Sequence, residues 1–288
     1  MKKIAILGCE NSHASNFMHY INTVPAFSDV EVVGVYSDEE EPAKMLQETY
    51  GVTILNDYAD AVGKIDGLII TARHGDNHYK YAKPYIESGI PMFIDKPITI
   101  DEDEAVRFMR ELKEKNVRIT GGSSVKHADL IYDLKAKALA EEGGKTIGGI
   151  IRAPLSSNSA YGGFYFYAQH LVEMACEVFG RYPKSVIACR SGAVKNVIFR
   201  YTDFDIHGLF CDDMYMYHIL RYTKEEVQGG KMEFGEAFCR EFDEFHKLLH
   251  GGKQKISYED FISPVFIMNA LERALENGKE EPVKEYVL

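Results

Sequence analysis

The chain starts with KKIAILGCENSHASNF at residues 2–17, in which an apolar run ends at a glycine and a polar turn leads into a helical pattern. Apolar runs at 30–36, 66–71 and 91–94 repeat this arrangement, and a helical segment follows each of them. Strands that alternate with helices predict βαβ units and a parallel sheet that is buried on both faces. Residues 1–120 are therefore expected to form an α/β domain with a Rossmann-like, doubly wound sheet.

The rest of the chain, residues 121–288, shows a different pattern, in which short turns separate segments that are rich in apolar residues. These segments lie at 146–155, 185–190, 197–201, 206–210 and 214–222. They predict an α+β domain with a largely antiparallel sheet that packs one face on helices. Aromatic and β-branched residues between 196 and 222 are too numerous for one buried face, so the other face is expected to join subunits in a homodimer or homotetramer. The alternative is that helices cover both faces.

The composition excludes several classes of protein. The net charge is -11 and the pI is near 5.4, with no basic stripe, which excludes a nucleic-acid-binding protein. No apolar run approaches the roughly 20 residues of a membrane-spanning helix. The five cysteines are scattered and form no CxxC pair, which indicates reduced thiols in a cytoplasmic protein and predicts no metal site.

The segment FIDKP at residues 93–97 carries the main candidate for acid-base chemistry. Lys96 lies where an apolar strand meets its loop, and Pro97 favours extended backbone at the lysine. The ammonium is therefore expected to project from the carboxyl end of the strand, where doubly wound sheets bind ligands. Desolvation at such a place lowers the pKa of a lysine. Asp95 is expected to position Lys96.

Five segments together give the chain a resemblance to a known family. They are NDY at 56–58, TARHGDNH at 71–78, DKP at 95–97, GGFYFYAQH at 162–170 and SYED at 257–260. In order and spacing they resemble motifs of the glucose-fructose oxidoreductase/inositol dehydrogenase/rhizopine-catabolism (Gfo/Idh/MocA) family, whose Glu-Lys-Pro signature appears here with aspartate in place of glutamate. The resemblance implies an NAD- or NADP-dependent oxidoreductase that acts on a sugar, polyol or related alcohol. It also implies a C-terminal domain for substrate binding and oligomerisation.

The glycine-rich loop departs from the dinucleotide-binding pattern. That pattern needs three glycines, and only Gly8 is present, because Glu10 and His13 stand at the other two positions. Either Glu10 turns away and the start of the helix holds the phosphates, or the loop has lost the cofactor and serves another ligand. If the cofactor binds, the residues expected to hold it are Gly8, Asn11, Ser12, Ser37, Asp38, Thr71, Arg73, His78 and Lys96.

Two charged features bear on the identity of the ligand. Acidic residues at 38–41 follow Ser37 after the second predicted strand, and their charge repels a 2′-phosphate, which slightly favours NAD over NADP; they equally suit a solvated helix start. Arg73 follows the third predicted strand. Its guanidinium either holds a carboxylate or phosphate of the cofactor or substrate, or pairs with Asp76 or Asp95.

The helical segment near residue 170 supplies the second candidate for acid-base chemistry. The resemblance implies that His170 is a catalytic acid-base group or a substrate donor. The family's aspartate four residues earlier is replaced by Phe166, and Glu173 is a candidate to replace it as the partner of the imidazole. Tyr161 and the aromatic run at 164–167 are expected either to support a sugar ring or to belong to the core.

The sequence leaves more than one function open. Lys96 and His170 favour hydride transfer between a nicotinamide cofactor and a carbohydrate-like alcohol. Glu10, His13 and Phe166 favour a family member without cofactor that binds a metabolite or serves a partner. Proton transfer alone, as in a lyase or isomerase, is a third and weaker interpretation.

Overall fold

The first of two sheets is parallel and lies in the N-terminal part of the chain. The computed structural model describes residues 1–212 and 214–288. The strands of this sheet are β1 (Lys2–Leu7), β2 (Val30–Tyr36), β3 (Gly67–Ile70), β4 (Met92–Asp95) and β5 (Ile119–Gly122). All their pairings are parallel, in the order β2-β1-β3-β4-β5, which confirms the predicted Rossmann-like sheet. The order reverses between β1 and β3, and doubly wound sheets bind ligands in the crevice at that reversal.

Helices cover both faces of this sheet. The helices of the chain are α1 (Ser12–Thr23), α2 (Glu40–Tyr50), α3 (Asp76–Ala82), α4 (Glu102–Glu114), α5 (Asp129–Leu139), α6 (Tyr165–Phe179), α7 (Ala237–Leu249) and α8 (Tyr258–Asn277). Helices α1, α2 and α7 pack on one face, and α3, α4 and α8 pack on the other. Both faces of the central strands are therefore buried, as their unbroken apolar sequences predict. Among the described residues, no helix has the length and apolar character needed to cross a bilayer.

Residues beyond the boundary expected at residue 120 contribute to the first sheet and to its core. That boundary falls inside β5, whose last two residues complete the first sheet. Helices α7 and α8 come from the end of the chain and nevertheless bury apolar side chains against the first sheet. The two parts of the chain therefore share an apolar core.

The second sheet lies in the C-terminal part. Its strands are β6 (Gly148–Leu155), β7 (Ser185–Ser191), β8 (Val194–Arg200), β9 (Asp205–Asp212), β10 (Tyr217–Tyr222), β11 (Val227–Met232) and β12 (Glu281–Pro282). They lie in the order β11-β10-β6-β9-β8-β7-β12. The β6–β9 pairing is parallel and the others are antiparallel, so the predicted largely antiparallel sheet is confirmed.

One face of the second sheet packs on α5, α6 and α8. Val197, Phe199 and Phe210 lie in this core and are at most 1% exposed. They therefore do not contribute to the outer patch that their number suggested. Because side chains alternate along a strand, their neighbours Ile198 and Leu209 lie on the opposite face, where they are half-buried. Half-buried apolar residues of other strands have the same orientation: Ile150, Ile187 and Leu220.

A buried ionic contact joins the two parts of the chain. His13, in the first turn of α1, lies with Nδ1 3.0 Å from Oδ2 of Asp95 at the end of β4. Its Nε2 lies 3.2 Å from the carboxylate of Glu241 in α7. All three residues are at most 3% exposed. The side-chain amide of Asn11 also donates a hydrogen bond to Asp95, at 2.7 Å.

The charges of this contact support one another. Burial disfavours the imidazolium, but Asp95 and Glu241 outweigh it and raise the pKa of His13 to about 10. Burial also disfavours the Asp95 carboxylate, and the charge of His13 nevertheless holds the pKa of Asp95 below its ordinary value. Burial raises the pKa of Glu241, an effect that His13 partly offsets. The histidine is therefore a buried cation that compensates two carboxylates from distant parts of the chain.

His13→Gln is expected to reduce the free energy of unfolding at neutral pH by about 3 kcal/mol or more, because removing one partner leaves buried charge uncompensated. His19→Gln is the matched control, since His19 lies exposed on the same helix and its loss should change stability by no more than about 0.5 kcal/mol. Urea denaturation measures both values. Equal stability of the two variants would contradict the role given to His13.

The protonation of His13 itself can be observed. Its pKa is raised above the unfolded value of 6.5, so its stabilising contribution is complete below about pH 6.5 and disappears as the pH rises toward about 10. At pH 8 an ordinary histidine is neutral, whereas His13 should still carry protons on both ring nitrogens. Nitrogen-15 NMR of the imidazole distinguishes the two states. A neutral ring at pH 8 would contradict the ionic contact.

Candidate active site

The carboxyl ends of the parallel strands meet the start of α6 around a cavity of about 400 Å³. This is the ligand-binding edge of a doubly wound sheet. The structure brings together there five residues that the sequence predicted for the site: Asn11, Ser12, Arg73, Lys96 and His170. Side chains from the second half of the chain complete the wall, among them Phe166 and Tyr167.

Lys96 enters this cavity from the end of β4 and is only 4% exposed. Its Nζ lies 4.6 Å from the centre of the Phe166 ring and 5.2 Å from that of Tyr167. It also donates a long hydrogen bond, at 3.4 Å, to the main-chain oxygen of Phe166. Burial lowers the pKa of Lys96, which the charge of Asp95 opposes and that of Arg73 reinforces. A lysine in this state exchanges its proton more readily than one in water.

Asp95 holds the main chain of Lys96 rather than its ammonium. One carboxylate oxygen accepts a hydrogen bond at 2.7 Å from the main-chain N–H of Lys96. The other oxygen is taken by His13 and Asn11. Aromatic rings surround the ammonium instead, so its positive charge has no carboxylate in direct contact among the described residues.

His170 has a hydroxyl partner that the sequence analysis missed. Its Nδ1 lies 2.6 Å from Oγ of Ser123, which follows β5. Glu173, the expected partner, accepts instead from the side chain of Gln169 at 3.1 Å, because the helix turns its carboxylate away from the cavity. Burial lowers the pKa of His170 well below its ordinary value, and the charges of Lys96 and His13 add to this. A serine at the carboxyl end of a parallel strand was the available signal.

Glu10 lies across the end of the sheet at the reversal between β1 and β3. Its carboxylate accepts a hydrogen bond from the Ser37 hydroxyl at 2.7 Å and another from the main-chain N–H of Arg73 at 3.1 Å. It therefore neither points outward into solvent nor leaves these donors free. In the dinucleotide-binding pattern this loop position is the closest approach to the pyrophosphate.

Three other predicted site residues shape the loops without facing the cavity. Gly8 has a φ of +93°, and a Cβ there would lie 2.2 Å from the main-chain N of Ala72, so only glycine fits. The hydroxyl of Thr71 donates to the main-chain oxygen of Gly8 at 2.8 Å. The ring nitrogens of His78 lie 2.8 Å and 3.1 Å from the main-chain oxygens of Ala72 and Ile98. These contacts fix the strand ends against each other.

At the end of β2, the acid predicted to bind the ribose already has hydrogen-bond partners. The carboxylate of Asp38 accepts hydrogen bonds from the hydroxyls of Tyr36 and Tyr81, at 2.6 Å and 2.7 Å. Asn11 caps α1 by accepting from the N–H of His13, and Ser12 is exposed beside it. The tight turn at Gly8 and the start of α1 thus fit a dinucleotide, whereas the Glu10 carboxylate occupies donors and places a negative charge where its phosphates approach.

The aromatic run of α6 divides between two roles. Phe164 and Tyr165 are at most 8% exposed and belong to the core of the second sheet. Phe166 and Tyr167 face the cavity and flank Lys96. The replacement of an acid by Phe166 therefore places an apolar ring beside the ammonium, where the family pattern has a carboxylate.

Potential metal ligands lie elsewhere. Among the described residues, Asp29, His246 and His250 bring one ligand atom each within 4.8 Å of one another. Asp29 precedes β2, so this group lies at the opposite edge of the sheet from the cavity. Both histidines contact the aspartate, at 2.9 Å and 2.8 Å, as ion pairs do.

The chain is similar in structure to several solved dehydrogenases. A myo-inositol dehydrogenase from Corynebacterium glutamicum superposes with a TM-score of 0.84 at 16% identity, covering 99% of this chain and 100% of that one. A myo-inositol 2-dehydrogenase from Lactobacillus plantarum gives 0.85 at 15% identity, covering 98% and 99%. A scyllo-inositol dehydrogenase from Lactobacillus casei, with bound NAD(H) and scyllo-inositol, gives 0.85 at 15% identity, covering 98% of this chain and 99% of that one. At these identities the likeness shows the fold.

The sequence itself matches a family model over the first sheet. No curated protein matches the chain in sequence. Residues 2–123 match the model of the Gfo/Idh/MocA family, described as an oxidoreductase family with an NAD-binding Rossmann fold. That range contains the glycine loop, Arg73 and the Asp95-Lys96-Pro97 signature. Over residues 2–123, the chain is therefore similar to the NAD-binding Rossmann fold of the Gfo/Idh/MocA oxidoreductase family.

Proposed function

We propose that the protein is an NAD-dependent dehydrogenase that oxidises a CH–OH group of a carbohydrate-like substrate or reduces the corresponding carbonyl. The observation that carries this proposal is the meeting of Lys96 and His170 in one cavity at the carboxyl edge of an NAD-binding Rossmann sheet. NAD, when bound, supplies the hydride acceptor. Sheet β1–β5 is assigned to the cofactor, and the second sheet with its helices is assigned to substrate and assembly.

The residues around Lys96 and His170 have separate roles in this proposal. Burial lowers the pKa of Lys96, which makes its neutral amine more accessible than that of a lysine in water, and this amine takes the proton of the reacting hydroxyl. Asp95 holds the main chain of Lys96 and thereby its direction. The His170 ring, oriented by Ser123, binds a substrate hydroxyl through its other nitrogen. Phe166 and Tyr167 exclude water from the lysine and offer apolar faces to sugar C–H groups.

The proposed classes of cofactor and substrate are supported by a protein of the same fold and by the cofactor loop of this chain. The Lactobacillus casei protein of this fold was crystallised with NAD(H) and scyllo-inositol, and the present chain has the tight turn at Gly8 and the open start of α1. Ser12 and the first main-chain N–H groups of α1 are assigned to phosphate binding. Ser37 and Asp38 are assigned to ribose binding. The negative first turn of α2 favours NAD over NADP.

A second function is favoured by one specific observation. The Glu10 carboxylate already holds the Ser37 hydroxyl and the Arg73 N–H, two donors at the sheet edge that a dinucleotide needs. A family member that has lost its cofactor and binds a metabolite for regulation would keep such a contact permanently. Direct measurement of cofactor binding separates the two functions.

NAD+ or NADH is expected to raise the melting temperature of the protein. Ligand at 100 times its Kd adds about 2.7 kcal/mol to stability, and a dye-based melt detects this in a chain without tryptophan. Glu10→Gln should tighten binding roughly fivefold, because it removes about 1 kcal/mol of charge repulsion near the phosphates. Glu48→Gln, an exposed change on α2, is the control. Absence of any shift with all four nicotinamide dinucleotides would favour the binding protein.

Lys96→Met should lower kcat/KM at least about 10²-fold, the smaller end of the range for an acid-base group. The assay follows NADH formation on whichever polyol or sugar acid the wild type oxidises. Lys224→Met, which changes an exposed lysine of the second domain, should leave the rate unchanged. A Lys96→Met enzyme with wild-type rates would remove the lysine from the mechanism.

The half-buried outer face of the second sheet is assigned to a homodimer or a dimer of dimers. Ile198 and Leu209 lie near its centre, on neighbouring strands. Leu209→Asp should therefore convert the assembly to the mass of one 32.6 kDa chain in light scattering. Leu139→Asp, at a residue that is 79% exposed, is the control and should not change the mass. A wild-type mass near 32.6 kDa would contradict the assignment.

The proposed location is the cytoplasm. All five cysteines are free, and three of them are buried. Unpaired thiols in a core persist where the surroundings are reducing. The acidic surface charge also supports a small-molecule ligand rather than a nucleic acid.

A further inference from the structure

Arg73 is a charged residue of the cavity to which the proposed chemistry gives no role. It follows β3 at the reversal of strand order, is half-buried and lines the same cavity as Lys96. Its guanidinium stacks on the ring of Tyr161, with 5.0 Å from Cζ to the ring centre, and donates to the Tyr161 hydroxyl at 3.3 Å. These contacts with a residue from the second half of the chain hold it over the substrate side of the cavity.

The surrounding acids do not pair with this guanidinium. Glu10 accepts a hydrogen bond from the main-chain N–H of Arg73 and not from its guanidinium, and Glu39 accepts one from the Tyr161 hydroxyl at 2.8 Å. The sequence analysis considered Asp76 and Asp95 as partners of Arg73. Their carboxylates instead lie 3.7 Å from Nδ1 of His74 and 3.0 Å from Nδ1 of His13, respectively. Among the described residues, no carboxylate forms an ion pair with Arg73.

The rest of the cavity does not supply the missing negative charge. Lys96 is surrounded by Phe166 and Tyr167, and Lys231 on the far wall already pairs with Glu233. The guanidinium of Arg73 therefore faces a partly enclosed space without a carboxylate partner, and burial makes uncompensated charge unfavourable. A ligand with a negative group relieves this arrangement, and a guanidinium binds a planar carboxylate through two parallel hydrogen bonds.

We infer that the substrate is a carboxylated polyol, such as a sugar acid, and that Arg73 binds its carboxylate. This inference rests on the proposed dehydrogenase function for its choice of a hydroxylated substrate. Phe166, in place of an acid, fits the same chemistry, because a carboxylate at that position would repel the substrate. Arg73 thereby places the carboxylate near one side of the cavity and leaves a hydroxyl carbon of the same molecule to Lys96.

The test compares pairs of ligands that differ in one carboxylate. Calorimetry measures the binding of glucuronate against glucose, and of gluconate against glucitol, with and without saturating NAD+ or NADH. The acids should bind wild-type protein at least about tenfold more tightly than their neutral counterparts, as expected for a hydrogen bond between charged groups. Arg73→Gln should abolish this difference, Arg73→Lys should restore part of it, and Arg110→Gln on the outer side of α4 should preserve it.

Each other outcome has a distinct meaning. If acids and neutral polyols bind equally, or if no acid binds, the inference is overturned. If Arg73→Gln weakens NAD+ binding and leaves the preference for acids intact, the arginine holds a cofactor phosphate and the inference is also overturned. If acids bind through Arg73 but no dinucleotide binds, the substrate assignment stands and the dehydrogenase function fails. Urea denaturation of both Arg73 variants confirms that they fold.

Discussion

The imidazolium of His13 is the contact on which the rest of this site depends. It lies between Asp95, at the end of β4, and Glu241, on a helix from the other half of the chain. Without it, two buried carboxylates would face each other across the sheet edge. Because His13 and Asn11 occupy one oxygen of Asp95, the other oxygen holds the Lys96 main chain and the ammonium is left among aromatic rings. A substitution in the cofactor loop thus sets the environment of the acid-base lysine.

Two departures from the family pattern change the charge of the cavity in opposite directions at its two ends. Glu10 adds a carboxylate where phosphates approach, whereas Phe166 removes one from the catalytic helix. The cofactor half of the cavity consequently becomes more negative and the substrate half more positive. Arg73 lies at the border, with its main chain on Glu10 and its guanidinium on the substrate side. Such a gradient weakens the binding of a dinucleotide and strengthens the binding of an anionic substrate.

The sequence predicted those features that depend on local periodicity. Apolar runs located β1 to β4 and, in the second sheet, β6 to β10, whereas β11 and β12 were missed. Lys96 was placed at a strand end because buried parallel strands must finish at this edge. Features that depend on packing between distant segments could not be predicted from the sequence. The Ser123 partner of His170, the contact of His13 with Glu241 and the turning of Glu10 onto Ser37 each join residues more than 25 positions apart. The outer face of the second sheet was expected to carry Val197, Phe199 and Phe210, which are buried in the core, because counting apolar residues ignores their alternation along each strand.

The most direct test of this account is the pKa of the Lys96 amine in the native protein. Nitrogen-15 NMR of the lysine side chains reports it, and the signal is assigned by its loss in Lys96→Met. Burial among Phe166 and Tyr167, with Arg73 nearby and Asp95 committed to other partners, predicts a pKa below the ordinary 10.5. The same measurement in His13→Gln should give a higher value, because Asp95 then loses its compensating charge. A Lys96 pKa at or above 10.5 in the wild type would contradict the account.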